Sequence, residues 1–149
     1  MDNETFSMLM DKVKIFTNTF RELPIQSEEK TYKLTHLIDN EEKFTLRINR
    51  KGHRNKENLT IIIHSDTLHS QMVRFDVNGS DHTNFPAGVD IPTPHVHIFT
   101  DEFQNGQIAI PLNEITDIIL INELIDSLEF FIDYVKIDRR NMNYNDTLL

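Results

Sequence analysis

A chain of 149 residues with 38% hydrophobic and 26% charged residues is long enough for one domain with its own core, and this composition argues against disorder. It has no cysteine, no apolar run near the roughly 20 residues of a membrane span, and an acidic start, MDNETFSMLMDK, unlike a basic secretory leader; together these point to a cytoplasmic protein. A formal net charge of -9 disfavours nucleic acid and anionic membranes as direct partners. The charge is uneven. Residues 43–56 carry Lys43, Arg47, Arg50, Lys51, Arg54 and Lys56 without an acid, whereas residues 101–138 carry nine Asp or Glu and the single base Lys136.

Apolar residues at Phe6, Leu9, Met10, Val13, Phe16 and Phe20 follow three- and four-residue steps and predict an N-terminal helix within 1–22, ended by Leu23-Pro24. Period-two patterns then predict strands over Tyr32–Ile38 and Phe44–Ile48, joined by a polar turn at residues 39–42. After a second turn over 51–58, the run Leu59-Thr60-Ile61-Ile62-Ile63-His64 has the apolar, β-branched character of a central strand. Val73–Val77 alternates Val73, Phe75 and Val77 against Arg74 and Asp76, and Asn78-Gly79 supplies a turn. Residues 80–94 hold three prolines and no periodicity, and a loop of that length is more often functional than connecting. His95–Thr100 resumes the alternation, followed by a short strand at Gln107–Ile110.

Beyond Pro111 the period becomes helical. Ile121, Leu124, Ile125, Leu128, Phe131, Ile132 and Val135 form one stripe within a C-terminal helical region over 113–138, with Asn122 or Asn113 as its cap. Residues 115–121 fit helix or strand equally, and the polar residues 139–149 read as a loose tail. The expected architecture is a single α+β domain over 1–149: an antiparallel sheet of five to six strands across 31–110, built as a meander and flanked by an N-terminal and a C-terminal helix.

Two sets of residues carry candidate chemistry. His95 and His97, two apart on a strand, point the same way. If their strand neighbours Val73–Val77, they share a face with Arg74 and Asp76, and His82 from the loop closes over it. Asp76, His82, His95 and His97 then make a possible divalent-metal site, which would serve a hydrolase or nuclease. The plainer reading is a set of cross-strand polar pairs on a solvated face. Gly88, His95, His97, Glu102 and Gly106 approach the cupin metal motif, but the spacings differ and no later histidine follows, so a working cupin is rejected. The second set is the acidic side of the last helix, Asp126, Glu129 and Asp133 with Phe130 and Tyr134 among them: either a second layer such as the first helix packs on these aromatics, or they offer charge and aromatic anchors to a protein partner.

The succession Phe44, Leu46, Ile48, Arg50; Arg74, Asp76, Asn78, Gly79; His82, Asn84; Gly88; His95, His97, Phe99; and Phe131, Tyr134 resembles a family of small uncharacterised proteins from low-GC Gram-positive bacteria and their phages. The resemblance covers roughly residues 31–138, with Asn84-Phe85-Pro86 standing where the family pattern has Asn-Pro-Asp-Gly. It implies a phage or mobile-element setting. The function expected from it is a non-enzymatic, cofactor-free inhibitor of a host defence nuclease, of the CRISPR-inhibitor type, that binds a basic nucleic-acid-handling host protein through Asp126, Glu129, Phe130, Asp133 and Tyr134. The alternative is the metal-dependent hydrolase or nuclease.

Overall fold

The computed structural model describes residues 1–52 and 58–144. The end of the basic run, part of the predicted 51–58 turn and the last part of the tail therefore lie outside the described residues.

Asp2 caps α1 (Asn3–Asp11) through Thr5 N, and the helix stops nine residues earlier than the apolar spacing predicts. Residues beyond Asp11 prefer extended backbone. Val13, Ile15 and Thr17 are β-branched, and the segment pairs as β1 (Lys14–Phe16) with Leu34–His36, which buries Phe16. Seven strands then form one antiparallel sheet: β1, β2 (Glu29–His36), β3 (Lys43–Asn49), β4 (Thr60–Ser65), β5 (Ser70–Asp76), β8 (His95–Ile98) and β9 (Ala109–Pro111). Neighbours in the sheet are neighbours in the chain except where a separate hairpin, β6 (His82–Asn84) and β7 (Val89–Ile91), interrupts between β5 and β8. The meander expectation holds, with a larger sheet than five to six strands.

The C-terminal helix α2 (Glu123–Tyr134) starts at Asn122, whose side chain accepts from Ile125 N, while Asp126 Oδ2 accepts from the Ile121 and Asn122 amides at 2.8 and 2.9 Å. Residues 115–121 are neither helix nor strand, and Ile121 is exposed ahead of the helix instead of joining its stripe. The observed helix is therefore shorter than the expected 113–138 region. The tail also differs from expectation: residues 139–144 are docked, with Phe20 N donating to Asn141 O, Asn143 N to Phe20 O, and the Tyr144 and Phe20 rings 5.8 Å apart.

One face of the sheet (Phe44, Leu46, Ile48, Ile61, Ile63, Val73, Phe75, Val96) packs on Leu9 of α1 and on Leu124, Leu128, Phe131 and Ile132 of α2. The two helices are joined to the sheet by a buried cation. Lys14 Nζ donates at 2.8 Å to the carbonyls of Leu9, Lys12 and Val135, at the C-terminal ends of α1 and α2, and sits 5.0 Å from the Phe44 ring centre. Neither helix has a basic residue in its own last turn, so Lys14 supplies the charge both dipoles favour. Burial pushes this ammonium down to about 7, the Lys136 charge adds to the push, and the Asp11 and Glu42 carboxylates oppose it.

Candidate metal centre

Antiparallel pairing of β5 with β8 sets Arg74 opposite His97 and Asp76 opposite His95. Because alternate residues share a face, these four side chains stand together on the side of the sheet away from the helices. The face is not solvated here. His95 and His97 are 1% and 0% exposed, because the β6–β7 hairpin folds over them. The Phe85–Pro86 peptide bond within that hairpin, and Thr93–Pro94 after it, are cis.

The H-x-N pair holds the hairpin down. Asn84 Nδ2 donates to Ala109 O at 2.9 Å and its Oδ1 accepts from Ala109 N at 2.8 Å, so the side-chain amide pairs with the backbone of β9 as another strand would. His82 Nε2 donates to Gln107 O at 2.7 Å, and its ring lies edge-on to His97 with centroids 4.8 Å apart. His82 thus covers the site. The donor atoms that converge belong to Asp76, His95 and His97, all within 4.8 Å of one another.

Main-chain acceptors fix how those donors are aimed. His97 Nδ1 donates to Gly106 O at 2.8 Å, and His95 Nδ1 lies 3.2 Å from both Ile91 O and Pro92 O. A carbonyl only accepts, so each Nδ1 carries hydrogen and each Nε2 is left facing the carboxylate. His95 Nε2 is 3.1 Å from Asp76 Oδ2; His97 Nε2 is 3.2 Å from the same oxygen, within ion-pair distance but without the alignment of a hydrogen bond. Gly106, at φ +86°, allows the chain to bring its carbonyl under His97; an added Cβ would meet the Phe99 ring at 2.3 Å.

Charge is concentrated at Asp76. Burial raises its carboxyl, but His95, His97 and the Arg74 guanidinium outweigh burial and hold it well below the usual carboxylate range. Burial likewise works to lower His95, yet the Asp76 hydrogen bond and charge raise it above its ordinary value. Arg74 Nε lies 3.2 Å from Asp76 Oδ1 and its side chain is 36% exposed, so the guanidinium marks the side from which the centre meets solvent.

The acidic face of α2 is put to other uses. Phe130 is 5% exposed, packing edge-on to Phe75 at 5.3 Å with Tyr134 stacked on it at 5.4 Å. Asp126 caps its own helix, Glu129 binds Arg139 and Tyr144, and Asp133 binds Arg139 at 2.9 Å. As a partner surface, the five residues lose their central aromatic anchor to the core, because α2 lies along the sheet and buries a wider arc than one stripe. Sequence reasoning also passes over Lys14, and it sets aside His64-Ser65-Asp66, on the sheet's open face, as no clean copy of a phosphoesterase H-x-S motif. The H-x-D spacing of the latter was visible, but without the register nothing joined it to a cavity.

A family profile described as a family of unknown function, DUF6978, matches residues 1–137. The chain belongs to this family. No curated protein and no solved structure matches it. Among the described residues, no helix is long and apolar enough to cross a membrane.

Proposed function

We propose that this protein binds one transition-metal ion through His95 Nε2, His97 Nε2 and Asp76 Oδ2, and that the ion serves as the Lewis acid of a hydrolase. The observation that carries the reading is the shared aim of two buried imidazoles whose Nδ1 hydrogens are committed to main-chain carbonyls. That second contact is what metal-ligating histidines characteristically make, since it fixes the ring and its tautomer. The His97 Nε2 has no hydrogen bond among the described residues, which a buried nitrogen does not ordinarily tolerate. Bonds of about 2.0–2.1 Å in a tetrahedral site separate ligand atoms by about 3.3 Å, close to the 3.1 and 3.2 Å found here. Two imidazoles and one carboxylate make a donor set that catalytic zinc takes, and that non-haem iron(II) takes as well.

Three protein ligands, where structural zinc takes four, leave a position for water, whose pKa zinc lowers to about 7. Arg74 at the exposed edge would face an anionic substrate group. The inhibitor reading is weaker, because the acids of α2 are engaged within the chain and Phe130 is in the core.

Untagged protein should contain one zinc per chain by elemental analysis, and apo-protein should take up one cobalt(II) with a tetrahedral visible spectrum. Both should be lost in His97→Asn, with the fold checked by circular dichroism. Protein that neither retains metal nor binds cobalt would end the proposal. Stoichiometric binding without turnover of p-nitrophenyl phosphate or acetate would remove the hydrolase and leave the metal centre.

A further inference from the structure

We propose that the open face of the sheet carries a second site, separate from the Asp76 centre, which takes the phosphate of a small hydroxyl-bearing phosphomonoester between Lys33, Arg47 and His64. Here the four strands β2 to β5 form a cavity of about 290 Å³ floored by Ile62, at the small end of the ligand-pocket range. Strand register assembles its walls: Lys33 pairs with Thr45, Thr45 with His64, and His64 with Gln71, while Arg47 pairs with Ile62. The β4–β5 ladder shifts between Ile63 and His64, which leaves Met72 out of the pairing. A β-bulge of this kind bends the strand and re-aims the side chains beside it.

His64 is oriented as an acid-base group would be. Its Nδ1 lies 2.9 Å from Asp66 Oδ1, and Thr45 Oγ1 donates to both Asp66 oxygens at 3.0 and 2.8 Å. Burial raises the Asp66 carboxyl, but the bonds from His64 and Thr45 and the nearby Lys33 outweigh it and keep the carboxylate ionised. An ionised Asp66 only accepts, so Nδ1 carries the hydrogen. Nε2 then either accepts from a phosphate hydroxyl or, once protonated, donates to a phosphate oxygen.

Two cations hold spare donors at the rim. Lys33 Nζ is 2.8 Å from Thr45 Oγ1 and 3.4 Å from Asp66, and Arg47 Nε is 3.6 Å from Glu29, a loose pairing that leaves the guanidinium free to turn inward. The ligand also needs a donor. Gln71 Oε1 is buried without a hydrogen-bond partner among the described residues, an acceptor that a sugar hydroxyl would satisfy. A phosphate ester of a sugar answers both needs with two separate groups, an anion for the cations and a hydroxyl that reaches Gln71, which neither free phosphate nor an uncharged sugar offers together.

The test is an NMR titration of the histidine ring signals with ribose 5-phosphate, in EDTA so that no metal at Asp76 can bind the phosphate. His64 should shift saturably, more weakly with inorganic phosphate and not at all with ribose. Lys33→Met and Arg47→Met should each weaken binding about tenfold or more. Both side chains are exposed, at 64% and 47%, so these variants should melt as the parent does. Absence of a saturable His64 shift would overturn the proposal, as would an equal shift with sodium chloride at matched ionic strength. Unchanged affinity in both variants would do so too.

Discussion

Replacing Lys14 by Met tests whether one buried ammonium holds the two helices to the sheet. Its fall from 10.5 to about 7, at about 1.4 kcal/mol per pH unit, is a cost of about 5 kcal/mol to the charged form. Three bonds from a charged donor return about 1.5–3 kcal/mol each. Methionine escapes the burial cost and packs on Phe44, but it leaves the carbonyls of Leu9, Lys12 and Val135 without this donor in a place closed to water, at about 1–3 kcal/mol each. The balance predicts that Lys14→Met is less stable by at least about 2 kcal/mol at pH 7, measured by urea unfolding. The pH dependence has a definite sign. A lysine depressed in the folded state binds fewer protons there than in the unfolded chain, so its contribution to stability rises between about pH 7 and 10.5. Wild type should therefore gain on Lys14→Met by about 2 kcal/mol between pH 7 and 9. A variant within about 0.5 kcal/mol of wild type at both pH values would refute the argument.

In metal-free protein, Asp76→Asn should lower the pKa of His95 in an NMR titration, since Asp76 holds it up; the stability this pair provides is present below the unfolded histidine pKa and fades as pH rises through the folded one. Unmoved histidine signals would mean that the two strands are not coupled through Asp76. With zinc the trend inverts, because ligation needs neutral imidazole: binding should weaken as pH falls below about 6, and a zinc excess of about 100-fold over Kd should add about 2.7 kcal/mol of stability that EDTA removes. Gly106→Ala should cost more than about 2 kcal/mol, from a strained φ and contact with Phe99, and should lower metal affinity by displacing the carbonyl that orients His97; full cobalt affinity in a destabilised variant would separate the two effects. Asn122→Ala should remove about 1 kcal/mol by uncapping α2, read from thermal melts, with no change at the histidines.

The α+β class, the meander and the faces of the central strands were determined by local pattern, because one-sided burial forces the two-residue alternation seen in Phe44–Ile48 and Val73–Val77. Asn122 was legible as a cap for a similar reason: capping is a contact between near neighbours in sequence. The end of α1 was not. Residues 13–20 have helical spacing and strand composition at once, and only pairing with β2 and the partners of Lys14 decide between them. Phe130 fitted a packed layer or a surface anchor equally, because a helical wheel shows the direction of a side chain and says nothing of how far the sheet wraps around the helix. The sequence could put His95 and His97 on one side of a strand. That Asp76 lies across from them, that a hairpin pinned by Asn84 covers them, and that the Gly106 carbonyl turns one ring toward the carboxylate were decided by contacts between residues distant in the chain, whose pairing no local period encodes.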